Sequence, residues 1–149
     1  MSQRRALVDL NLALGVRRVQ EQAALLKLKV QQQAAGVARD RLDGSLALHR
    51  DSEVAWNGAL ETRSLDLDAM RLWRAQTETA LIRVRTDEKS METEMSAVAE
   101  RREAWGRHLR LAEAVGSLAG AAARSVRRSD DERRLMAAED ARHARRPRG

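Results

Sequence analysis

The chain has 149 residues, a formal charge of +6, 34% charged residues, three Trp as its only aromatics and no Cys. Aromatic and long aliphatic side chains supply most of the area of a globular core, so this composition argues against a compact globule. The lack of Cys excludes a disulfide framework and a thiolate metal site. Ala, Leu, Arg, Glu and Gln dominate, a composition typical of long helices and coiled coils.

The positive charge rests on 25 Arg and only three Lys, at Lys27, Lys29 and Lys89. Arginine forks carboxylates and phosphates better than lysine does. Charge alone therefore leaves acidic protein surfaces, membrane faces and nucleic acid open as partners. No long run lacks charge, so no membrane insertion is expected. The start, Met1 to Val19, places Arg4 and Arg5 before an apolar stretch, but Asp9 and Asn11 break it. It reads as the beginning of a helix and not as a signal peptide.

The first helix is expected over about residues 4–57. Its apolar row steps by four and three through Leu12, Val16, Val19, Ala23, Leu26, Val30 and Val37, with Gln33 the one polar member. After Val37 the phase slips, and Leu42, Leu46, His49, Glu53, Trp56 and Leu60 resume it. Such a slip is a stutter, and Gly36 and Gly44 beside it weaken the helix. Asn57-Gly58 reads as the helix stop. Ser64 or Asp66 reads as the cap of the next helix, with Asp66 and Asp68 near its positive end.

The second helix is expected over about residues 66–142. A heptad row runs through it as Thr77, Leu81, Val84, Glu88, Met91, Met95, Val98, Arg102, Trp105, Leu109, Ala112, Gly116, Ala119, Ala123 and Val126. A 3.5-residue apolar repeat held over about seven heptads marks a helix that faces another helix. The expected fold is all-α, a single antiparallel coiled-coil hairpin with its tip at about residues 57–66 and a length of about 80 Å. With the turn centred near Ser64, Trp105 should face Ala23 and Ala24, Gly116 should face Leu12, and Val98 should face Val30. Large residues then meet small ones, as packing requires.

From Arg124 onward nine Arg and five acids accompany few bulky apolar residues. The second helix should therefore outlast its partner and fray from Arg142, with Pro147 near the end. A helix without a partner in its own molecule is a candidate docking arm. Its candidate contacts are Arg124, Arg127, Arg128, Arg133 and Arg134. A second candidate surface is the tip, where Leu65, Leu67, Met70, Leu72 and Trp73 cluster. These either cap the hairpin end together with Trp56 or present a binding patch. The small residues Ala112, Gly116 and Ala119–Ala123 either pack against the Leu-rich start or form a groove for a partner helix.

Catalysis finds no footing. His49, His108 and His143 are far apart in sequence. Glu139 and His143 share a helical face, but two ligands are too few for a metal site. His49 sits on the seam as a candidate register-setting polar residue. The stretch Gly116 to Gly120 lacks the Lys and the strand of a phosphate loop. No catalytic residue, cofactor or small-molecule substrate is expected. Nucleic acid is also disfavoured, because acids are interspersed throughout and stacking aromatics are missing.

Three stretches carry a family resemblance: Arg5-Ala6-Leu7-Val8-Asp9-Leu10 running into Arg17 to Ala24; Met70-Arg71-Leu72-Trp73-Arg74; and Arg101 to Trp105 through Asp131 to Arg134. With the length and hairpin spacing, they resemble the FliJ/YscO family, the small stalk proteins of flagellar and virulence type III export ATPases. The resemblance implies a cytoplasmic, non-enzymatic stalk, peripheral to the secretion apparatus. Its paired ends would enter a hexameric ATPase ring and promote ring assembly. Its tip would reach an export-gate protein or secretion chaperones. A coiled-coil scaffold or adaptor is the alternative.

Overall fold

The computed structural model describes residues 2–61 and 66–146. It is an all-α helical hairpin: helix α1 spans Gln3–Glu61 and helix α2 spans Leu67–Ala144, and the two pack against each other. Ser2 starts α1, its hydroxyl and carbonyl both accepting from the Arg5 amide. Asp66 caps α2 with its side-chain oxygen 3.0 Å from the Asp68 amide. Each cap satisfies amides that have no partner within the first turn.

Asn57-Gly58 does not stop the first helix, which continues to Glu61. Neither residue adopts a left-handed conformation, and no glycine among the described residues does. The Asn-Gly pair therefore sits in ordinary helical geometry, which glycine weakens but does not forbid. Ser64 and Leu65, the alternative cap and one tip residue, lie outside the described residues.

Packing divides the hairpin into two compact units, Met1–Ala24 with Trp105–Gly149, and Leu25–Ala104. In the first, Ala24, Ala112 and Ala119 are buried. Trp105 Nε1 donates to Glu21 Oε1 at 2.6 Å. Gly116 lies against Leu14, whose Cδ1 would stand 3.6 Å from an added Cβ. At the end of this unit one Arg4 guanidinium nitrogen donates to both Asp130 carboxylate oxygens, at 2.8 and 2.9 Å. Trp105 thus bonds Glu21, while Ala23, one of its two expected partners, is exposed, and Gly116 meets Leu14 in place of Leu12.

In the second unit Leu28, Ala35, Ala38, Val84 and Val98 form the apolar interior. Polar pairs are threaded through it. The Ser45 hydroxyl donates to Asp87, and the Gln31 amide donates to Glu94. Thr77 closes the tip side, its hydroxyl directed at the Trp73 carbonyl (3.0 Å) and the Ser52 carbonyl (3.5 Å).

The inward row of α1 is not the one its hydropathy pattern indicates. Leu12, Val16, Val19, Leu26, Val30 and Val37 are all more than half exposed. The residues turned inward are Leu7, Leu10, Leu14, Arg17, Glu21 and Ala24 in the first unit, and Leu28, Gln31, Ala35, Ala38, Leu42, Ser45, His49, Ser52 and Trp56 in the second. Those residues keep a strict three-and-four alternation. There is consequently no stutter near Gly36 and Gly44, where α1 runs unbroken. The apparent slip after Val37 is a change from the outer row to the inner one, which Leu42, His49 and Trp56 already belong to.

Helix α2 follows its expected row in one heptad position and departs in part from the other. Thr77, Val84, Met91, Val98, Trp105, Ala112, Ala119 and Val126 turn inward. At the second position Leu81, Leu109, Gly116 and Ala123 are half-buried as expected, but over the middle of the helix Asp87 and Glu94 turn inward while Glu88, Met95 and Arg102 are exposed. The reason is shared: buried Asp87 and half-buried Glu94 each find a partner on α1, and a paired polar group is tolerated in an interior that an unpaired one is not. Val98 is buried but Val30 is 65% exposed, so that expected pairing does not form.

Candidate interaction surfaces

Among the described residues, three apolar or charged surfaces remain open. The first is the end of α2. Val126, Ser129 and Asp130 are half-buried, so the bare extension begins at Asp131 and not near Arg124. From Asp131 to Arg146 every residue is exposed, and the chain stays helical to Ala144, two residues past the expected fraying point. Leu135 and Met136 are each 65% exposed. Arg124, Arg127, Arg128, Arg133 and Arg134 are all exposed. Arg133 lies 3.9 Å from Asp130, the acid that also receives Arg4. Alternation of acids and bases at helical spacing supports the isolated helix and leaves its net charge small.

The second surface is the tip. Leu67 and Leu72 point to solvent, 69% and 58% exposed, whereas Met70 and Trp73 are half-buried. The four tip candidates therefore divide between two roles. Met70 and Trp73, with half-buried Trp56, cover the end of the interior, and Leu67 and Leu72 are available to a partner.

The third surface is the outer row of α1, which the hydropathy pattern placed in the interior. In an α-helix each residue advances about 100°, so Leu12 and Val16, two residues either side of Leu14, lie about 160° round from it. Between Leu12 and Val37, α1 therefore carries an apolar row on the side away from the residues it turns inward. The outward face of α2 differs: Thr86, Lys89, Thr93, Ser96 and Glu100 occupy it and are exposed.

The fissures between the helices are shallow. One holds about 350 Å³ and is lined by Ser45, Leu48, Ser52, Ala75, Gln76, Thr79, Ala80 and Arg83. It lies where small residues on both helices leave side-chain space unfilled. Its lining contains no acid, histidine or cysteine, and the Ser45 hydroxyl is engaged by Asp87. His49 is half-buried with Glu53 3.7 Å away on the same helix. His108 Nδ1 is buried with no hydrogen-bond partner. Among the described residues no group of three His, Cys, Asp or Glu could hold a metal ion, and Glu139 and His143 are both exposed. No described helix is long and apolar enough to cross a membrane.

No protein-family model, curated protein or solved structure matches this chain.

Proposed function

We propose that the chain is a non-enzymatic coiled-coil accessory protein, and specifically a cytoplasmic stalk of a hexameric protein-export ATPase of the type III class. The observation that carries this reading is the helical extension from Asp131 to Ala144 beyond the Arg4–Asp130 pair. A preformed helix loses little conformational freedom on docking. Its exposed Leu135 and Met136 supply apolar contact, and its arginines supply donors for an acidic ring lumen. The resemblance of the sequence to export-ATPase stalks names the ring. At the tip, exposed Leu67 and Leu72 would meet an export-gate protein or a secretion chaperone.

The test is to add the purified chain to a hexameric export ATPase at low salt. Full-length protein should bind, promote hexamer formation and raise ATP turnover. A chain ending at Asp130 should do none of these. If the truncated chain stimulates equally, or the full chain does not bind at all, the stalk reading fails. The second reading, a scaffold that assembles through its helices, draws on the outer row of α1.

A further inference from the structure

We propose that the outer row of α1 seats the same row of a second copy of this chain, with the two α1 helices parallel and in register. Leu12, Val16 and Val19 belong to the first compact unit and Leu26, Val30 and Val37 to the second. Each is between 57% and 66% exposed. Their shared heptad phase is a property of one unbroken helix. An apolar row at heptad spacing marks a helix face that another helix covers, and α2 packs on the other side of α1.

The residue types select the occupant. In this phase Val16, Ala23, Val30 and Val37 take the first core position of the heptad, and Leu12, Val19, Leu26 and Gln33 the second. Valine at the first position with leucine at the second favours two parallel strands. Gln33 selects direction and register. In a parallel in-register pair it meets the other copy's Gln33, and two amides satisfy one another. In an antiparallel pair centred on this row it meets Val16 and is left without a partner, which costs the desolvation of a polar group. The flanking charges are compatible with the parallel form: Lys27 falls beside Gln22, and Lys29 beside Ala34, of the other copy.

Length excludes the obvious rival within the chain. The row from Leu12 to Val37 covers about 38 Å of helix. The α2 extension offers only Leu135 and Met136 as bulky apolar residues and cannot fill it. A second α1 matches it residue for residue and removes on the order of 1,200 Å² in total, enough for a specific interface. The pairing is separable from the stalk reading, because it leaves Asp131–Arg146 untouched.

Sedimentation of the full chain over micromolar to tens of micromolar concentrations tests the proposal. The expected mass is twice 16.7 kDa. Val30→Asp and, independently, Val16→Asp should halve it while far-ultraviolet circular dichroism stays helical. The chain has no cysteine, so Leu12→Cys should give an interchain disulfide on mild oxidation only if the helices run parallel. A monomeric wild-type chain overturns the proposal, whether or not it binds some other protein. So does a dimer that both aspartate variants leave intact. A dimer in which Leu12→Cys fails to crosslink overturns the parallel arrangement.

Discussion

The Ser45 hydroxyl donates to the Asp87 carboxylate with both residues buried, 4% and 7% exposed. This pair crosses the hairpin between residues 42 positions apart. It sets register in the way a single polar pair does in a coiled-coil core. Ser45→Ala should cost about 1.5–3 kcal/mol, because it leaves a buried carboxylate short of a donor. Asp87→Ala should cost less, since the serine hydroxyl can turn to a carbonyl one turn back in its own helix. The double variant should recover part of the loss. Urea unfolding at one fixed protein concentration measures the cycle, and strict additivity would mean the two residues are not coupled.

The inversion of the α1 rows makes a stability prediction of its own. Leu28 is 4% exposed, whereas Ile82 on α2 is 63% exposed. Leu28→Ala should destabilise by about 2–4 kcal/mol through lost burial and the cavity left behind. Ile82→Ala should change stability by less than about 1 kcal/mol. Equal effects at the two sites would contradict the burial pattern.

Gly116 packs against Leu14, yet an added Cβ would meet the leucine at an ordinary contact distance of 3.6 Å. The backbone there is plain helix, so glycine brings only its entropic disadvantage. Gly116→Ala should therefore raise stability by about 0.5–1 kcal/mol. The same proximity predicts that cysteines placed at positions 14 and 116 crosslink within one molecule. A thiol pair that joins only separate chains would rule out this packing.

The extension of α2 should be dispensable for folding. Among the described residues, ending the chain at Asp130 removes only exposed ones, and it preserves the Arg4–Asp130 pair. The urea midpoint should stay within error of the full chain, and any binding that depends on Leu135 and Met136 should disappear. Arg4→Ala should have a small, salt-sensitive effect, because the Arg4 side chain is 68% exposed and surface ion pairs contribute little. A large loss of stability on truncation would mean that the extension packs on something within its own chain.

Much of the architecture is legible before any coordinates are seen. The absence of Phe and Tyr and the abundance of Ala, Leu, Arg and Glu leave long helices as the available structure. The row through Val84, Val98, Trp105, Ala112 and Ala119 names the inward face of α2, because nothing on the opposite face competes with it. Cap chemistry narrows the start of α2 to Ser64 or Asp66, and the bond from the Asp68 amide identifies Asp66. The surface sites were less legible. The α2 extension is visible from charge density, but its starting point is not. It depends on how far the start of α1 reaches, which Arg4 and Asp130 record.

The inward face of α1 was decided only by tertiary structure. Hydropathy ranks Leu12, Val16, Val19, Leu26, Val30 and Val37 above a row containing Arg17, Glu21, Gln31 and Ser45, and periodicity cannot choose between two rows of the same period. The choice depends on partners 42 to 84 positions away, Asp87 for Ser45, Glu94 for Gln31 and Trp105 for Glu21. A polar residue becomes acceptable in an interior only when its hydrogen-bond partner is already opposite it. Spacing along one strand of sequence carries the helix and its period, and the pairing between helices assigns each face its neighbour.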